Sequence, residues 1–290
     1  VAPPSLKRSY PVSFTSRRRV AMTAAAALSA LALAACGSSD SGSSSGSGSG
    51  SSAAADGAPT LLKSGVLQVC THLSYKPFQF KDDSGKVVGF DVDIAMALCE
   101  QMKVECTLVQ QDWDGMIPAL LAKKFDAIFA SMSITDERKQ AVDFTDPYYS
   151  NKLQFIAPKG GDFKVDKASL KGKVIGAQRA TIAGTWLEDN MADVVEIKLY
   201  DTQENAYLDL ASGRLDGVLA DKFVNWEWLK SETGKGFEFK GDPVFDNDKI
   251  GIAVRKGDPL QGKLNEALKA IVADGTYKKI NDKYFPFSIY

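Results

Sequence analysis

The sequence contains little histidine and cysteine and no excess of positive charge. One histidine, His72, and four cysteines occur in 290 residues, so a Cys-His zinc site is not predicted. Lysine and arginine number 35 against 36 aspartates and glutamates, a balance that gives no indication of nucleic-acid binding. The apolar run at residues 20–35 is shorter than the roughly 20 residues that a membrane-spanning helix needs.

The first 36 residues have the pattern of an export signal. Five lysines and arginines precede the apolar run, and no acidic residue occurs before it ends. The run closes with Leu33-Ala34-Ala35-Cys36, which resembles the lipobox of bacterial lipoproteins; an ordinary signal peptide that ends near a cysteine is the alternative. We expect a signal peptide over residues 1–36, with lipidation of Cys36 and a lipid anchor in the cell membrane.

Residues 37–59 are mostly glycine, serine and alanine. Such a segment lacks the apolar side chains that a folded core requires. About 22 flexible residues reach roughly 25 Å, so we expect a tether between the anchor and a folded part that begins near residue 60. Without the five cations of the signal, the rest of the chain is mildly acidic.

From residue 60 onward, short apolar strands alternate with helical segments, which predicts an α/β fold with parallel strands. Residues 119–131 (ALLAKKFDAIFAS) and 209–221 (DLASGRLDGVLAD) repeat each other at an offset of ninety. Each copy runs from a helix end through a basic turn into a strand, and the copies end in Ser131 and Asp221. Open α/β sheets bind ligands at the carboxyl ends of their strands, so we expect both residues to face one crevice. A chance likeness is the alternative.

Cys99 and Cys106 are predicted to form a disulfide. On one continuous helix they would lie about 10.5 Å apart, beyond the roughly 7 Å limit for bridged Cα atoms. The intervening EQMKVE favours a helix that ends near Met102 and a strand that starts at Val104, and this reversal would bring the sulfurs together. We expect the bridge in an exported protein. Cys70, on the apolar strand VLQVC, is expected to be a buried thiol.

Several motifs together resemble the polar-amino-acid substrate-binding proteins of ABC importers, the family three solute-binding proteins. They are GFDVDIAMALCEQM at 89–102, DAIFASMSITDERKQAVDFTDPYY at 126–149, IGIAVRKGDPL at 250–260 and ADGTYKKINDKYF at 273–285. The likeness is greatest to lysine/arginine/ornithine, histidine and arginine binders. It implies a two-lobed periplasmic-binding-protein-like (type II) fold with two hinge crossings. Lobe 1 would comprise residues 60–152 and 250–290, and lobe 2 residues 153–249.

A cation in the first turn of a helix opposes the helix dipole, yet Arg138 occupies such a position in SITDERKQAVDF. The resemblance implies that Arg138 holds the α-carboxylate of a bound amino acid through two parallel hydrogen bonds. Asp221 and Ser133 would hold the α-ammonium, and Ser131 would share the same ligand. A surface ion pair for Arg138 and a helix cap for Asp221 are the alternatives.

The resemblance also places Tyr75 and Trp113 around the side chain of the ligand, where flat rings contact an aliphatic stem or a cation. Core packing is the alternative for both. Lobe 2 is expected to contribute a helix that begins near residue 182, with Thr181 and backbone N–H groups facing the carboxylate. The similar binders have glycine at the position of Ala180 and commonly a hydroxyl residue at that of Ile182, so these two positions depart from the pattern.

His72 is the departure that bears on specificity. The binders of basic amino acids carry an acid at this position, whereas histidine is neutral or positive near its pKa of about 6.5. A basic amino acid is the first hypothesis for the ligand, with Asp112 or Asp114 as substitute acids. Glutamine or another neutral polar amino acid is the alternative.

The likeness predicts a binding protein and not an enzyme. A dehydratase on the same fold would need a further acid or base, for which His72 is the only candidate. Asp91 and Asp93 suggest a metal motif, but no third ligand follows at loop spacing, and Asp91 is expected to cap the helix that begins there. We expect a monomeric receptor that delivers its ligand to an ABC importer permease, with no cofactor, metal or nucleic acid.

Overall fold

The structure, a computed structural model, describes residues 61–290; the predicted signal peptide, Cys36 and the tether lie outside the described residues. The strands are β1 Val66–Thr71, β2 Ser74–Tyr75, β3 Gln79–Lys81, β4 Val87–Val88, β5 Glu105–Gln110, β6 Ala127–Ile128, β7 Val142–Phe144, β8 Tyr149–Pro158, β9 Val174–Gln178, β10 Glu196–Tyr200, β11 Gly217–Asp221, β12 Phe237–Ile250 and β13 Ala253–Arg255. The α-helices are α1 Phe90–Met102, α2 Met116–Leu121, α3 Asp136–Ala141, α4 Lys167–Leu170, α5 Ile182–Met191, α6 Gln203–Ala211, α7 Lys222–Leu229, α8 Leu260–Ala273 and α9 Thr276–Tyr284. Two 3-10 helices lie at Trp113–Gly115 and Gly234–Gly236.

Two five-stranded sheets organise the described residues. The first has the strand order β5-β1-β6-β13-β7, and the second has the order β10-β9-β11-β8-β12. The strands β1, β5 and β6 are parallel in the first sheet, and β9, β10 and β11 are parallel in the second. The predicted α/β class is confirmed. No helix in this part of the chain is long and apolar enough to cross a membrane.

The chain passes between the two sheets through β8 and β12. These long strands pair antiparallel, with Tyr149 opposite Ile250 at one end and Pro158 opposite Phe237 at the other. β13 follows almost at once and belongs to the first sheet. This is the arrangement expected of two lobes joined by two crossings. The predicted lobe boundaries at 152/153 and 249/250 fall inside β8 and β12 and stay a prediction.

The repeat seen in the sequence is also a structural repeat. The Asp126 N–H donates to the Gln68 carbonyl, and the Asp126 carboxylate accepts from the Gln68 N–H at 2.9 Å. Asp216 makes the same pair of hydrogen bonds with Val174. Each aspartate therefore fastens the start of a strand to its parallel neighbour. The predicted equivalence of the two units is confirmed.

The disulfide follows from a sharp reversal after α1. The helix ends at Met102, and Lys103 adopts a left-handed conformation with a φ of 55° before β5 begins. The Cα atoms of Cys99 and Cys106 thereby come within 5.9 Å, and the two residues form the predicted disulfide. Cys70 is a buried free thiol, as expected, and burial raises its pKa.

Aromatic side chains fill the region between α1 and the first crossing strand. The Phe78 ring stacks on that of Tyr149 with centroids 4.9 Å apart, and Phe90 contacts both edge-on. All three are buried in one apolar cluster, which also contains residues of the second sheet. Offset-stacked and edge-to-face contacts of this kind stabilise beyond area burial alone. The packing holds α1 against the first crossing strand, β8.

Candidate functional site

A narrow cavity of about 10 Å³ lies where the two sheets meet, far smaller than the roughly 300–1,000 Å³ usual for small-molecule sites. Topology explains its position, because Ser131 and Ser133 come shortly after β6, Asp221 ends β11, and Thr181 follows β9. All eight predicted site residues line it: His72, Tyr75, Trp113, Ser131, Ser133, Arg138, Thr181 and Asp221. Their convergence is a structural fact, whereas their roles toward a ligand stay a prediction.

Arg138 enters the cavity from α3, whose start is capped by Thr135. The Thr135 hydroxyl accepts from the backbone N–H of Arg138 at 3.1 Å. The guanidinium donates from Nη1 to the Ser133 carbonyl and from Nη2 to the Ala180 carbonyl, each at 2.9 Å. Among the described residues it forms no ion pair, so the surface ion pair considered as an alternative is not present. Arg138 therefore keeps a positive charge without an anionic partner in a half-buried position.

Asp221 supplies negative charge to the same cavity. Its side chain makes no cap hydrogen bond to α7, so the capping alternative is wrong. Burial first, and the neighbouring Asp248 second, raise the pKa of Asp221 to about 7. Burial also raises the pKa of Asp248, although the Asn151 amide donates to it at 2.9 Å. Two carboxylates in a dry site favour the approach of a cation.

Asp91 does not cap α1, contrary to expectation. Gly89 occupies the cap position with a φ of 137°, and the Asp91 carboxylate is fully buried beneath the cavity. It accepts from the Ser131 N–H at 2.7 Å and from the Ser131 hydroxyl at 3.0 Å, with further donors in Gln79 and Tyr148. Burial raises its pKa to about 6, and these hydrogen bonds oppose the rise. The Ser131 hydroxyl is thus already engaged, and Ser131 itself has a φ of 54°.

Thr181 begins α5, close to the predicted helix start. Its hydroxyl accepts from the Gly184 N–H at 3.2 Å and donates to the Gln178 carbonyl at 2.8 Å. The hydroxyl is therefore used by the helix cap. The first N–H groups of α5 have no intrahelical acceptors, as in any α-helix, and Ile182 at the start of the helix lines the cavity.

Trp113 and Arg138 reach from the first sheet to the same acceptor in the second. The Trp113 Nε1–H donates to the Ala180 carbonyl at 3.0 Å, and the guanidinium lies 5.3 Å from the centroid of the Trp113 ring. Ala180 itself has a φ of 55°, a left-handed conformation that favours glycine. Across the cavity, the Tyr75 hydroxyl hydrogen-bonds Asp221, and burial followed by this carboxylate raises the pKa of Tyr75.

His72 is 6% exposed, and its Nε2 has no hydrogen-bond partner. Burial lowers the pKa of the imidazole, while a hydrogen bond to the Gln111 backbone and the charge of Asp112 oppose the decrease. Neither Asp112 nor Asp114 lines the narrow cavity; Asp114 lines a larger adjoining cavity of about 450 Å³. The expectation that one of them replaces the missing acid stays a prediction.

Sequence reasoning missed three polar residues of this region. Gln79 and Gln178 line the cavity and are almost fully buried, and Asp248 interacts with both Asp221 and Arg138. Gln79 and Gln178 each stand in or at the end of an apolar strand, which is the one signal that could have singled them out. Asp248 could not be recognised in this way, because it stands among exposed acidic residues in the sequence.

Two α/β sheets that are joined by two crossing strands and bring a cation and a carboxylic acid together at their junction are typical of solute-binding proteins. The sequence matches the family model of bacterial extracellular solute-binding proteins, family 3, over residues 67–287, and the chain belongs to this family. The predicted resemblance is confirmed. The family and the relatives described below are named for binding solutes.

Similar proteins cover nearly the whole described part of the chain. The L-arginine-binding protein of Pseudomonas aeruginosa is 45% identical over 240 residues, which are 80% of this chain and 92% of the relative. An ancestral arginine-binding protein has been solved bound to arginine and bound to glutamine, at 39% identity in each case. The TM-scores are 0.73 and 0.72, with 76% and 77% of this chain and 98% and 99% of those chains covered.

Proposed function

We propose that this protein is an extracytoplasmic, lipid-anchored receptor that binds a free amino acid and delivers it to the permease of an ABC importer. Arginine is the first ligand to test, because the relatives described above are named for binding it. The export signal and lipobox support the location, and the family supports the transport role. Glutamine is the alternative ligand.

One observation carries the proposal: the Arg138 guanidinium and the Asp221 carboxyl line the same cavity without forming an ion pair with each other. Arg138 donates only to carbonyl oxygens, and the pKa of Asp221 is raised to about 7. Buried charges are costly unless they are paired. A free amino acid carries a carboxylate and an ammonium on one carbon, so it can pair with Arg138 and with Asp221 at the same time.

The remaining residues have distinct proposed roles. The first turn of α5 assists Arg138 with the carboxylate, and Ser133 assists Asp221 with the ammonium. Tyr75 and Trp113 flank the side chain of the ligand, and His72 faces its end. Ser131 and Thr181 act through the backbone, because their hydroxyls are engaged by Asp91 and by the α5 cap.

The test is titration calorimetry of the full chain with arginine and glutamine, comparing the native protein with Arg138→Ala. Truncating one partner of a buried charge pair costs about 2–5 kcal/mol, so we expect the variant to lose at least roughly thirtyfold in affinity. Lys139→Ala is the matched control, because Lys139 is an exposed cation on the same helix. Its affinity should equal that of the native protein.

Unchanged affinity in Arg138→Ala, with a folded variant, would remove the assignment of the α-carboxylate site. Agmatine, which is arginine without its carboxylate, should bind the native protein as weakly as arginine binds Arg138→Ala. Membrane anchoring has a separate test. Cys36→Ala should move the protein from the membrane fraction to the soluble fraction, and a variant that stays in the membrane fraction would contradict the lipid anchor.

A further inference from the structure

The C-terminal segment, residues 285–290, is fixed to the half of the molecule that is built on the first sheet (the first half). It follows α9, which packs against α1. The Asn281 side chain of α9 donates to the Phe287 carbonyl at 2.9 Å and accepts from the Ile289 N–H at 3.1 Å. The Ile289 carbonyl in turn accepts from the N–H of Ser150, in the crossing strand β8, at 2.9 Å. The segment therefore follows a fixed path beside the first crossing strand.

Two aromatic side chains of this segment contact α7, which packs on β11 and β12 of the half built on the second sheet (the second half). The centroid of the Phe287 ring lies 5.7 Å from that of Phe223 and 5.5 Å from that of Trp226. The Phe285 centroid lies 5.5 Å and 6.0 Å from the same two rings. Phe223 and Trp226 are three residues apart, so they lie on one face of the helix. These four residues form an aromatic clasp between the halves.

An ion pair also connects α7 to the first half, but it is the weaker contact. Lys76 lies 3.8 Å from Glu227, and its side chain is 59% exposed. Glu227 pairs with Lys230 of its own half as well. An exposed ion pair changes an equilibrium constant by at most about fivefold, whereas each aromatic pair changes it by roughly twofold to tenfold. The four ring contacts of the clasp therefore outweigh the ion pair.

The helix that carries the clasp begins at the binding cavity. Asp221 lines the cavity and immediately precedes α7, whereas Arg138 reaches the same cavity from α3 of the first half. The carboxylate and the ammonium of an amino acid have a fixed spacing. Such a ligand binds best when the two halves hold Arg138 and Asp221 at that spacing. The clasp residues are not among the described residues that line the cavity, so they influence it only through α7.

We propose that the aromatic clasp positions the two halves for ligand binding, with Phe287 acting through α7 on the spacing between Arg138 and Asp221. This inference rests on the proposed function, which makes the ligand a zwitterion. Packing of the clasp and binding of the ligand favour the same arrangement of the halves. The apparent affinity is therefore reduced by the fraction of molecules in which that arrangement is lost.

The test measures arginine binding by titration calorimetry and arginine release by stopped-flow fluorescence in the full chain. Phe287→Ala removes both ring contacts of Phe287 with α7, and the variant should fold because Phe287 is 41% exposed. We expect at least about threefold weaker affinity, mostly through faster release of arginine. Phe287→Tyr retains the ring and should restore the native values.

A control and a double variant separate the clasp from general destabilisation. Tyr290→Ala is the matched control, because Tyr290 is an exposed aromatic residue of the same segment whose ring packs on Tyr277 of its own half. Its affinity should equal that of the native protein. Trp226→Ala combined with Phe287→Ala should lose little more affinity than Trp226→Ala alone, because both changes break the same contact. Additive losses would overturn the clasp, since the two rings would then act separately.

The failure of this inference differs from the failure of the proposed function. If arginine binds the native protein, a folded Phe287→Ala that binds it as tightly or more tightly overturns the clasp. If neither arginine nor glutamine binds the native protein, the proposed function fails. Small-angle X-ray scattering without ligand then tests the clasp alone: Phe287→Ala should be more expanded than the native protein, and Tyr290→Ala should not. Identical scattering of Phe287→Ala and the native protein would overturn the clasp in that case.

Discussion

At the residue scale, the site holds ionisable groups in positions where burial disfavours their charged forms. Asp221 and Asp248 are held close together away from water, and Arg138 donates to carbonyls where a carboxylate would bind it more strongly. Each of these groups would be more stable with a partner of opposite charge. The site therefore gives up stability in the free protein and regains it when a zwitterion binds.

Replacing Asp221 by asparagine should separate stability from binding. Because the pKa of Asp221 rises in the folded state, its stabilising contribution is complete below its unfolded pKa of about 3.9 and is lost as the pH rises through about 7. At pH 8 Asp221→Asn should therefore melt at a higher temperature than the native protein without ligand, and the gain should be smaller at pH 5. Thermal unfolding at both pH values measures this. A lower melting temperature at pH 8 would contradict it, and arginine should no longer raise the melting temperature of the variant.

The affinity for amino acids should decrease in acid. Only the ionised form of Asp221 holds an ammonium, and the ionised fraction decreases about tenfold per pH unit below its pKa of about 7. Titration calorimetry from pH 8 to pH 5 should show this decrease. His72→Phe serves as the control and should retain it, because His72 is not the titrating group. An affinity that is constant over this range would contradict the role of Asp221.

At the scale of the elements, the two repeated units form the same turn with different residues. Lys123 and Gly213 are equivalent positions ninety residues apart, and their φ angles are 57° and 77°. Glycine adopts this left-handed conformation freely, whereas other residues are strained by about 1–2 kcal/mol. The first unit therefore keeps a strained lysine where the second has glycine.

Exchanging these residues should change stability in opposite directions. Lys123→Gly should stabilise the protein by up to about 1 kcal/mol, and Gly213→Lys should destabilise it by about 1 kcal/mol. A Cβ at Gly213 meets no atom within 4 Å, so the change there reports the backbone conformation and not a clash. Chemical denaturation measures both variants. Equal signs for the two changes would mean that the turns are not equivalent.

At the scale of the whole molecule, the contacts across the cleft determine how the lobes are held. Trp113 and Arg138 belong to the half built on the first sheet, and both donate to Ala180, which follows β9 of the second sheet. The two crossing strands β8 and β12 are the covalent links between the halves. We therefore expect closure on a ligand to depend on these few hydrogen bonds across the cleft together with the ligand itself.

Small-angle X-ray scattering should detect this closure. We expect arginine to make the native protein more compact, because a ligand held by both halves favours the closed arrangement. Trp113→Phe retains the ring but removes the donor to Ala180, so the free variant should be more expanded than the free native protein. Identical scattering curves with and without a saturating ligand would contradict hinge closure.

Much of the fold was predictable because it depends on local patterns. Alternating strand and helix signals predict the parallel strands of each sheet but not the antiparallel strands β8, β12 and β13, and EQMKVE predicts the reversal that joins Cys99 to Cys106. The eight site residues were predictable from family motifs, and they do line one cavity. Asp91 was misjudged, because an aspartate at a helix start is usually a cap, and only its burial beneath Ser131 shows another role.

The sequence by itself determined the α/β class and the internal repeat, which are expressed in spacing along the chain, and its motifs determined the family resemblance, which implied eight of the residues that line the cavity. Only the tertiary structure decided which hydroxyls are already engaged, that Asp248 interacts with Asp221, and that His72 Nε2 is buried without a partner among the described residues. The physical reason is that hydrogen-bond partners, burial and charge interactions join residues that are distant in sequence. They arise only when the two sheets come together.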